Sequence, residues 1–262
     1  LIGKPLAPLF YRIGNDNALY ASDPFCLRAA LHDGAIHRIQ NETFARKDGS
    51  LFPVQYVTSP IRERDRPVSA VVVFQDISAR KQQEGLQQAQ LSVSHILAQA
   101  GTVEEAIPQL LHVAGTMGAW DMALLWQCGP MGDKLTCQGG WIRPSHRWDE
   151  FLSVCRYSEF PPGMDFPGIA WASKLPLWIS DVLADSRFTR APTASRLGIH
   201  GACIVPIRTG SIIHGVLELY TEQRRASDSH LIQILADTGM KIGQFIDRTG
   251  AAQALRAAHH MT

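Results

Sequence analysis

Five cysteines and ten histidines are the residues of this chain with the most versatile chemistry. The cysteines are odd in number, widely separated and never arranged as a CxxC pair; they are Cys26, Cys128, Cys137, Cys155 and Cys203. No two histidines have the HxH or HxxxH spacing that brings two imidazoles to one metal ion. We therefore predict reduced thiols, a cytoplasmic protein, no metal centre and no catalytic residue.

Signatures of nucleotide chemistry are also missing. Neither a GxxxxGK[ST] loop nor a convincing GxGxxG occurs, so no Gly-rich phosphate site is expected. Twenty-five Lys and Arg balance 24 Asp and Glu, and this balance implies no nucleic-acid partner. The longest apolar runs, such as residues 70–74, are far too short for a membrane segment.

Strand patterns dominate the first part of the chain. Residues 36–46, 51–60 and 68–75 are predicted to form an antiparallel meander, and Asp48-Gly49 between the first two strands is a strong hairpin signal. The third strand passes directly into a polar run from Ser78, which predicts a connecting helix over residues 78–100.

This connecting helix carries an apolar stripe. Leu86, Val93 and Ala100 recur every seven residues, and Ala89 and Ile96 form an alternate row. Two interpretations are open: the helix packs its stripe on the domain that follows, or it pairs with a second copy in a parallel dimer.

Helix and strand signals alternate from Thr102 onwards. Thr102 and Glu105 form a capping box for a helix that ends near residue 117, and Asp181 is predicted to cap a turn. Apolar residues spaced by three and four predict a last amphipathic helix from about Ser227. The remaining predicted elements are strands at 122–127, 135–141, 177–179, 202–206 and 212–220 and a short helix at 148–157.

The first part of the chain resembles one known family. The stretch FARKDGSLFPVQYVTSPI followed by AVVVFQDISARK is similar to the C-terminal half of a PAS domain. The resemblance covers residues 1–81 and implies a partial PAS sheet, because the first strands and helix of that domain are missing. It does not indicate what the intact domain would bind.

The second part resembles a GAF domain. The resemblance rests on FPGIAWASKLPLWISDV, RLGIHGACIVPI, GSIIHGVLELYT and LIQILADTGMKIGQFIDR. It implies a GAF domain over residues 101–250, with an antiparallel sheet, helices on one face and a small-molecule pocket on the other. Residues 251–262 are expected to begin an outgoing helix. The expected fold class is α+β: a partial PAS sheet, a connecting helix and a GAF domain.

Several GAF ligand classes have signatures that this chain lacks. Bilin-binding domains need a Cys-His pair, but Ile199 precedes His200 here. GAF-type reductases of free methionine sulfoxide carry a cysteine in the Gly-rich segment, which reads Gly168-Ile169-Ala170-Trp171 here. The Asn-Lys-Phe-Asp-Glu constellation of cyclic-nucleotide sites is absent. The cofactor therefore stays unknown.

Aromatic residues give the best indication of a site. By the resemblance, several lie on or near elements that line the GAF cavity, and apolar concave sites are how proteins usually hold small molecules. The candidate ligand-binding residues are Trp126, Trp141, Phe160, Phe166, Trp171, His200 and Cys203. The alternative is that the rings simply fill the core.

Both resemblances imply a sensory module of bacterial signal transduction. A small molecule or partner at the GAF domain would act through the helices on a further output domain, of the histidine kinase or cyclic-di-GMP type. The outer helices of GAF domains commonly form dimers, so we expect a homodimer and no enzymatic activity in this chain. The alternatives are a redox enzyme similar to free methionine sulfoxide reductase and a dimerisation module without ligand.

Overall fold

The computed structural model of the protein describes residues 12–13, 19–20, 26–46, 48–129 and 131–259, with side chains from residue 26 to residue 251 of these ranges. The strands are β1 (Arg12–Ile13), β2 (Leu19–Tyr20), β3 (His37–Ala45), β4 (Leu51–Glu63), β5 (Arg66–Asp76), β6 (Met122–Cys128), β7 (Leu135–Ile142), β8 (Glu159–Phe160), β9 (Leu177–Ile179), β10 (Gly201–Thr209) and β11 (Ile212–Thr221). The helices are α1 (Leu27–Asp33), α2 (Ser78–Gln99), α3 (Val103–Thr116), α4 (Asp149–Arg156), α5 (Asp165–Ser173), α6 (Ala191–Arg196) and α7 (Ser229–His259).

The chain divides into two compact units, Leu1–Glu84 and Gly85–Thr262. The first contains an antiparallel sheet in the order β2-β1-β3-β4-β5. The predicted meander is confirmed as β3, β4 and β5. A small core of Phe44, Val54 and Tyr56 lies on one face of this sheet. Part of the predicted PAS half falls on residues 1–11, 14–18 and 21–25, outside the described residues.

The predicted turn and helix start of the first unit have clear local causes. Gly49 has φ 84°, a left-handed conformation that glycine adopts at little cost, and Asp48 accepts hydrogen bonds from the amide and hydroxyl of Ser50. Asp76 Oδ1 accepts from Ser78 N at 2.9 Å, which caps the start of α2.

The second unit is built on a six-stranded antiparallel sheet in the order β8-β7-β6-β11-β10-β9. The long helices α2, α3 and α7 contribute to one buried cluster, which we call the helix-side core. The short helices α4, α5 and α6 contribute to a second, which we call the short-helix core. Together with the first unit, this confirms the α+β class.

The stripe on α2 is used inside the domain. Leu86, Val93 and Ile96 are buried in the helix-side core, and Ala89 and Ala100 pack against it. This burial favours the interpretation in which the helix packs its stripe on the domain that follows; pairing with a second copy stays a prediction.

The predicted N-cap of α3 is confirmed, and the Glu105 carboxylate closes the cap onto the amide of the residue before Thr102. Thr102 Oγ1 accepts from Glu105 N at 3.3 Å, and the Glu105 carboxylate accepts from Gly101 N at 3.0 Å. The outgoing helix expected at 251–262 is helical as far as His259, where it continues α7 without a break, and residues 260–262 lie outside the described residues.

Candidate functional site

Strand β11 presents different chemistry on its two faces. Successive side chains of a strand point to opposite faces. Leu217 and Leu219 are buried in the helix-side core, whereas Tyr220 lies in the short-helix core. Glu218 therefore faces the short helices, and it is completely buried. A carboxylate is almost never found fully buried unless a partner neutralises it.

Four donors satisfy Glu218. The Arg190 guanidinium binds it in a two-pronged manner, with Nη2 2.9 Å from Oε1 and Nη1 3.0 Å from Oε2. Tyr220 donates its hydroxyl to Oε1 at 2.9 Å, and Trp126 donates Nε1–H to Oε2 at 2.7 Å. Each carboxylate oxygen thus accepts two hydrogen bonds.

Asp165 is the second carboxylate of the cluster. Its Oδ1 accepts from Arg190 Nη2 at 2.7 Å and from Phe166 N at 2.6 Å, and its Oδ2 accepts from the amide and hydroxyl of Thr189. Burial raises the pKa of Asp165, but the charge and hydrogen bonds of Arg190 and Thr189 prevail, so the pKa lies below its usual value. Asp165 is therefore ionised at neutral pH.

Arg190 lies between the two carboxylates just before α6 and is 4 % exposed. Burial opposes its positive charge, but the charge of Glu218 more than compensates and raises the pKa of Arg190 well above its usual value. Its guanidinium carbon is 5.0–5.9 Å from the centroids of five aromatic rings, those of Phe160, Phe188, Trp126, Phe151 and Tyr220. We call Asp165, Glu218 and these rings the cation box.

The structure brings three of the predicted ligand-binding residues to this box and its core. Trp126 and Phe160 are two of its rings, and Phe166 belongs to the same core. Trp171 is half-buried and packs against that core. Whether these four contact a ligand stays a prediction.

The other three predicted residues lie elsewhere. Cys203 is buried in the helix-side core and Trp141 packs against it, on the opposite face of the sheet. His200 Nδ1 lies 3.0 Å from Asp181 Oδ1, and Asp181 also accepts from Arg224. Asp181 accepts from Leu183 N at 3.2 Å as well, so its predicted capping role is confirmed. The predicted residues Trp141, Cys203 and His200 therefore lie outside the cation box.

Sequence reasoning missed Asp165, Arg190 and Glu218. One signal was available: Glu218 interrupts the apolar run GVLELYT, and a charge inside a buried strand requires a buried countercharge. The sequence does not say which cation answers it, because Arg190 lies 28 residues away in a segment without a periodic pattern.

A second polar site lies at one end of the sheet. A cleft of about 380 Å³ is lined by Asp121, Arg143, His146, Glu222 and Arg225, among others. Arg143 Nε approaches Asp121 Oδ1 to 2.9 Å without hydrogen-bond alignment, and His146 Nε2 is 3.2 Å from Glu222 Oε1. Acidic and basic side chains line the cleft together, and Arg143 already faces Asp121, so the cleft favours no particular ligand charge.

The thiols are poorly suited to nucleophilic chemistry. Burial raises the pKa of Cys128 and Cys137 to about 11 and that of Cys155 and Cys203 to about 12. A thiol with such a pKa carries almost no thiolate at neutral pH, and the thiolate is the reactive form. All five cysteines are unpaired.

Two features are absent from the residues that the structure describes. Within this part of the chain, no group of three or more His, Cys, Asp or Glu side chains could hold a metal ion. Within the same part, none of the helices combines the length and apolarity needed to cross a bilayer.

The six-stranded antiparallel sheet with helices on both faces and a polar cluster buried on one of them defines a class of small α+β domains. The GAF domain family model matches residues 102–246, so this chain belongs to the GAF domain family. No curated protein matches the chain in sequence.

Solved structures share this fold at low identity. The GAF domain of a phosphoenolpyruvate-protein phosphotransferase from Coxiella burnetii is 14% identical with a TM-score of 0.54, over 67% of this chain and 98% of that one. Free methionine-R-sulfoxide reductase from Neisseria meningitidis, solved with its substrate, is 16% identical with a TM-score of 0.52, over 66% of this chain and 93% of that one. At such identities the likeness concerns the fold alone.

Proposed function

We propose that this chain is a sensory module in which a small molecule or partner at the GAF domain is detected through the cation box and reported through α2 and α7. The N-terminal unit is proposed to be PAS-like, and the output to be a histidine kinase or a cyclic-di-GMP enzyme. The proposal includes a homodimer. It also includes a reducing, cytoplasmic setting, which the five unpaired cysteines support.

The observation that supports the proposal best is the arrangement of strand β11. Glu218 is bonded to Arg190 on one face, while its neighbours Leu217 and Leu219 pack in the helix-side core on the other. Packed interiors transmit small displacements because they contain few voids. A change in the partners of Glu218 therefore alters the surface on which the long helices rest.

Helices α2 and α7 contact each other through hydrogen bonds and through a shared core. Arg248 of α7 donates to the carbonyl oxygen of Leu97 in α2 at 2.8 Å, and Lys241 Nζ lies 3.2 Å from Ser94 Oγ. Ile242 and Phe245 of α7 are buried in the same core as the α2 stripe. A shift of the sheet would thus move both helices together.

A catalytic role receives little support from the thiols. The four cysteines whose pKa burial raises are held in the protonated form at neutral pH. We therefore propose binding, and not redox chemistry, as the activity of this chain.

The test is hydrogen exchange on the complete chain after a change confined to the cation box. Tyr220→Phe removes one donor to Glu218 Oε1, and Glu218→Gln removes the buried charge. We expect faster amide exchange in residues 85–99 and in α7, graded from the first variant to the second. Glu159→Gln is the matched control, because Glu159 is exposed and pairs with Lys134.

The result decides between two readings. Exchange that changes in α2 and α7 for both box variants, but not for Glu159→Gln, supports the sensory function. Exchange that changes only in α4, α5 and α6 contradicts it and favours a module without ligand response. Tyr220→Phe keeps the test valid if Glu218→Gln does not fold.

A further inference from the structure

The cation box contains more negative than positive charge. Asp165 and Glu218 are both buried and hydrogen-bonded as carboxylates, and Arg190 is the one cation among the described residues that binds both of them. Buried charges are tolerated only when they are paired and hydrogen-bonded. A box with two carboxylates therefore selects for a cation in its centre.

Arg190 fits the box incompletely. Its Nη1 and Nη2 atoms donate to Asp165, to Glu218 and to the sulfur of Cys155, but Nε is buried and has no hydrogen-bond partner. Leaving a buried donor unsatisfied is unfavourable, because the donor has lost its hydrogen bond to water and gained none in the protein. The terminal nitrogen atoms of Arg190 are thus fully hydrogen-bonded, whereas Nε has no hydrogen-bond partner.

Three carboxylate positions would become vacant if Arg190 left. They are Asp165 Oδ1 and the two oxygens of Glu218, each of which now accepts from the guanidinium. A primary ammonium group has three donors, and a guanidinium has donors in a planar fork. Either group can fill all three positions, and the five surrounding rings favour a cation of either kind.

We propose that the cation box is the recognition site of this GAF domain for a ligand bearing a primary ammonium or guanidinium group, and that Arg190 fills this site as an internal stand-in for the ligand. This inference rests on the proposed sensory function and names its ligand class. The response would be an exchange, in which the external cation enters as Arg190 and its segment leave the box.

Charge favours a cation over an anion in this exchange. When one cation replaces another, both carboxylates stay paired and Arg190 gains hydration, so no uncompensated charge remains buried. An anionic ligand would place a third negative charge beside Asp165 and Glu218. It would also find only one free N–H on Arg190, at Nε.

The first experiment replaces the internal cation by an external one. Arg190→Ala deletes from the side chain the equivalent of N-ethylguanidinium, which is therefore the probe. We expect Arg190→Ala to be destabilised and millimolar N-ethylguanidinium to raise its melting temperature by about 3 °C or more. N-ethylurea has nearly the same shape without the charge and should give no rise, and propionate should give none.

A matched variant separates this effect from general solvent effects. Arg196→Ala removes an exposed arginine of α6 that pairs with Glu150. N-ethylguanidinium should therefore change the melting temperature of Arg196→Ala by no more than it changes that of the wild type. If Arg190→Ala is unfolded in buffer, refolding is measured against probe concentration instead. Equal effects of N-ethylguanidinium and N-ethylurea on Arg190→Ala would overturn the proposal.

The second experiment asks whether Arg190 yields in the natural chain. Hydrogen exchange of residues 185–197 in the wild type is expected to rise with millimolar N-ethylguanidinium or ethylammonium, and not with N-ethylurea. If the hydrogen exchange of these residues does not increase at any probe concentration, the proposed replacement of Arg190 by an external cation is wrong. Arg190 would then be a permanent structural partner of the two carboxylates. These outcomes are independent of the sensory test, because that test reads residues 85–99 after substitution and without any probe.

Discussion

At the scale of single residues, the cation box depends on saturated carboxylates. Glu218 accepts four hydrogen bonds, one of which comes from the Tyr220 hydroxyl. Burial raises the pKa of Tyr220 well above its usual value, so this hydroxyl stays protonated and donates. The contribution of such a donor to stability can be measured directly.

Tyr220→Phe is expected to lower the free energy of unfolding by about 1.5–3 kcal/mol, because it removes one hydrogen bond to a buried charge and changes no volume at the ring. Urea denaturation measures the difference. The matched control is Tyr157→Phe at an 89 % exposed position, which should change stability by less than about 0.5 kcal/mol. Equal effects at the two positions would mean that the Glu218 contact is not stabilising.

The residue scale also shows the limit of sequence reasoning. Trp126, Phe160 and Phe166 could be selected as candidates because large aromatic residues mark cores and pockets alike. Arg190 could not be selected, because its neighbours in sequence resemble an ordinary exposed loop. Only the fold places it against Glu218, by bringing the segment before α6 onto the middle of β11.

At the scale of elements, α3 packs so closely on the sheet that a glycine is needed. A Cβ at Gly115 would lie 2.2 Å from the indole ring of Trp141. Gly85 in α2 has open space at the same position, with nothing within 4 Å. These two helical glycines therefore predict opposite results for the same substitution.

Gly115→Ala is expected to destabilise the protein by about 1–3 kcal/mol, because the ring must move to make room. Gly85→Ala is expected to stabilise it by up to about 1 kcal/mol, because alanine has the higher helix propensity. Chemical denaturation of both variants measures the two differences. A stabilising Gly115→Ala would show that α3 is not in close contact with Trp141.

Asp181 is hydrogen-bonded to three other residues, and its contribution to stability is expected to depend on pH. Burial raises its pKa, but hydrogen bonds from His200, Arg224 and the Leu183 amide lower it from 3.8 to about 2. A carboxyl whose pKa is depressed in the folded state stabilises the protein above its ordinary pKa, and this stabilisation is lost as the pH falls towards the folded value.

Asp181→Asn should therefore cost roughly 1–2 kcal/mol near neutral pH, and the difference from wild type should shrink between about pH 4 and pH 2. Thermal denaturation across this range measures it. Arg224→Met removes one partner, so its acid-dependent loss should begin at a higher pH than in the wild type. A difference that is independent of pH would contradict the role of the ionised carboxyl.

Element prediction succeeded where an apolar run is bounded by clear turn or capping residues. The meander and the strands β6, β7, β10 and β11 follow from short runs rich in apolar and β-branched residues, and the start of α3 follows from Thr102 and Glu105. Helices α5 and α6 were missed because Pro167, Gly168 and Pro192 argue against helix locally. Tertiary contacts of Asp165 and Arg190 hold these short helices in place, and propensity does not report such contacts.

At the scale of the whole molecule, the helix-side core decides which surface is left for a partner. The α2 stripe is buried within its own domain, so a homodimer formed through α2 would use the outward side of this helix. There Leu91 is 65 % exposed, one turn before Ser94 and two turns before Ala98. Ser94 and Ala98 line a groove of about 460 Å³ that α2 shares with α7.

Leu91→Glu is therefore expected to shift the protein towards the monomer, because it places a charge on the apolar part of this surface. Sedimentation velocity over a range of concentrations measures the dissociation constant, and we expect it to increase by at least about tenfold. Tyr157→Glu is the matched control, since Tyr157 is 89 % exposed next to α4, which packs in the short-helix core on the other face of the sheet from α2 and α7. Equal shifts in both variants, or a wild type that is monomeric at every concentration, would contradict a dimer formed through α2 and α7.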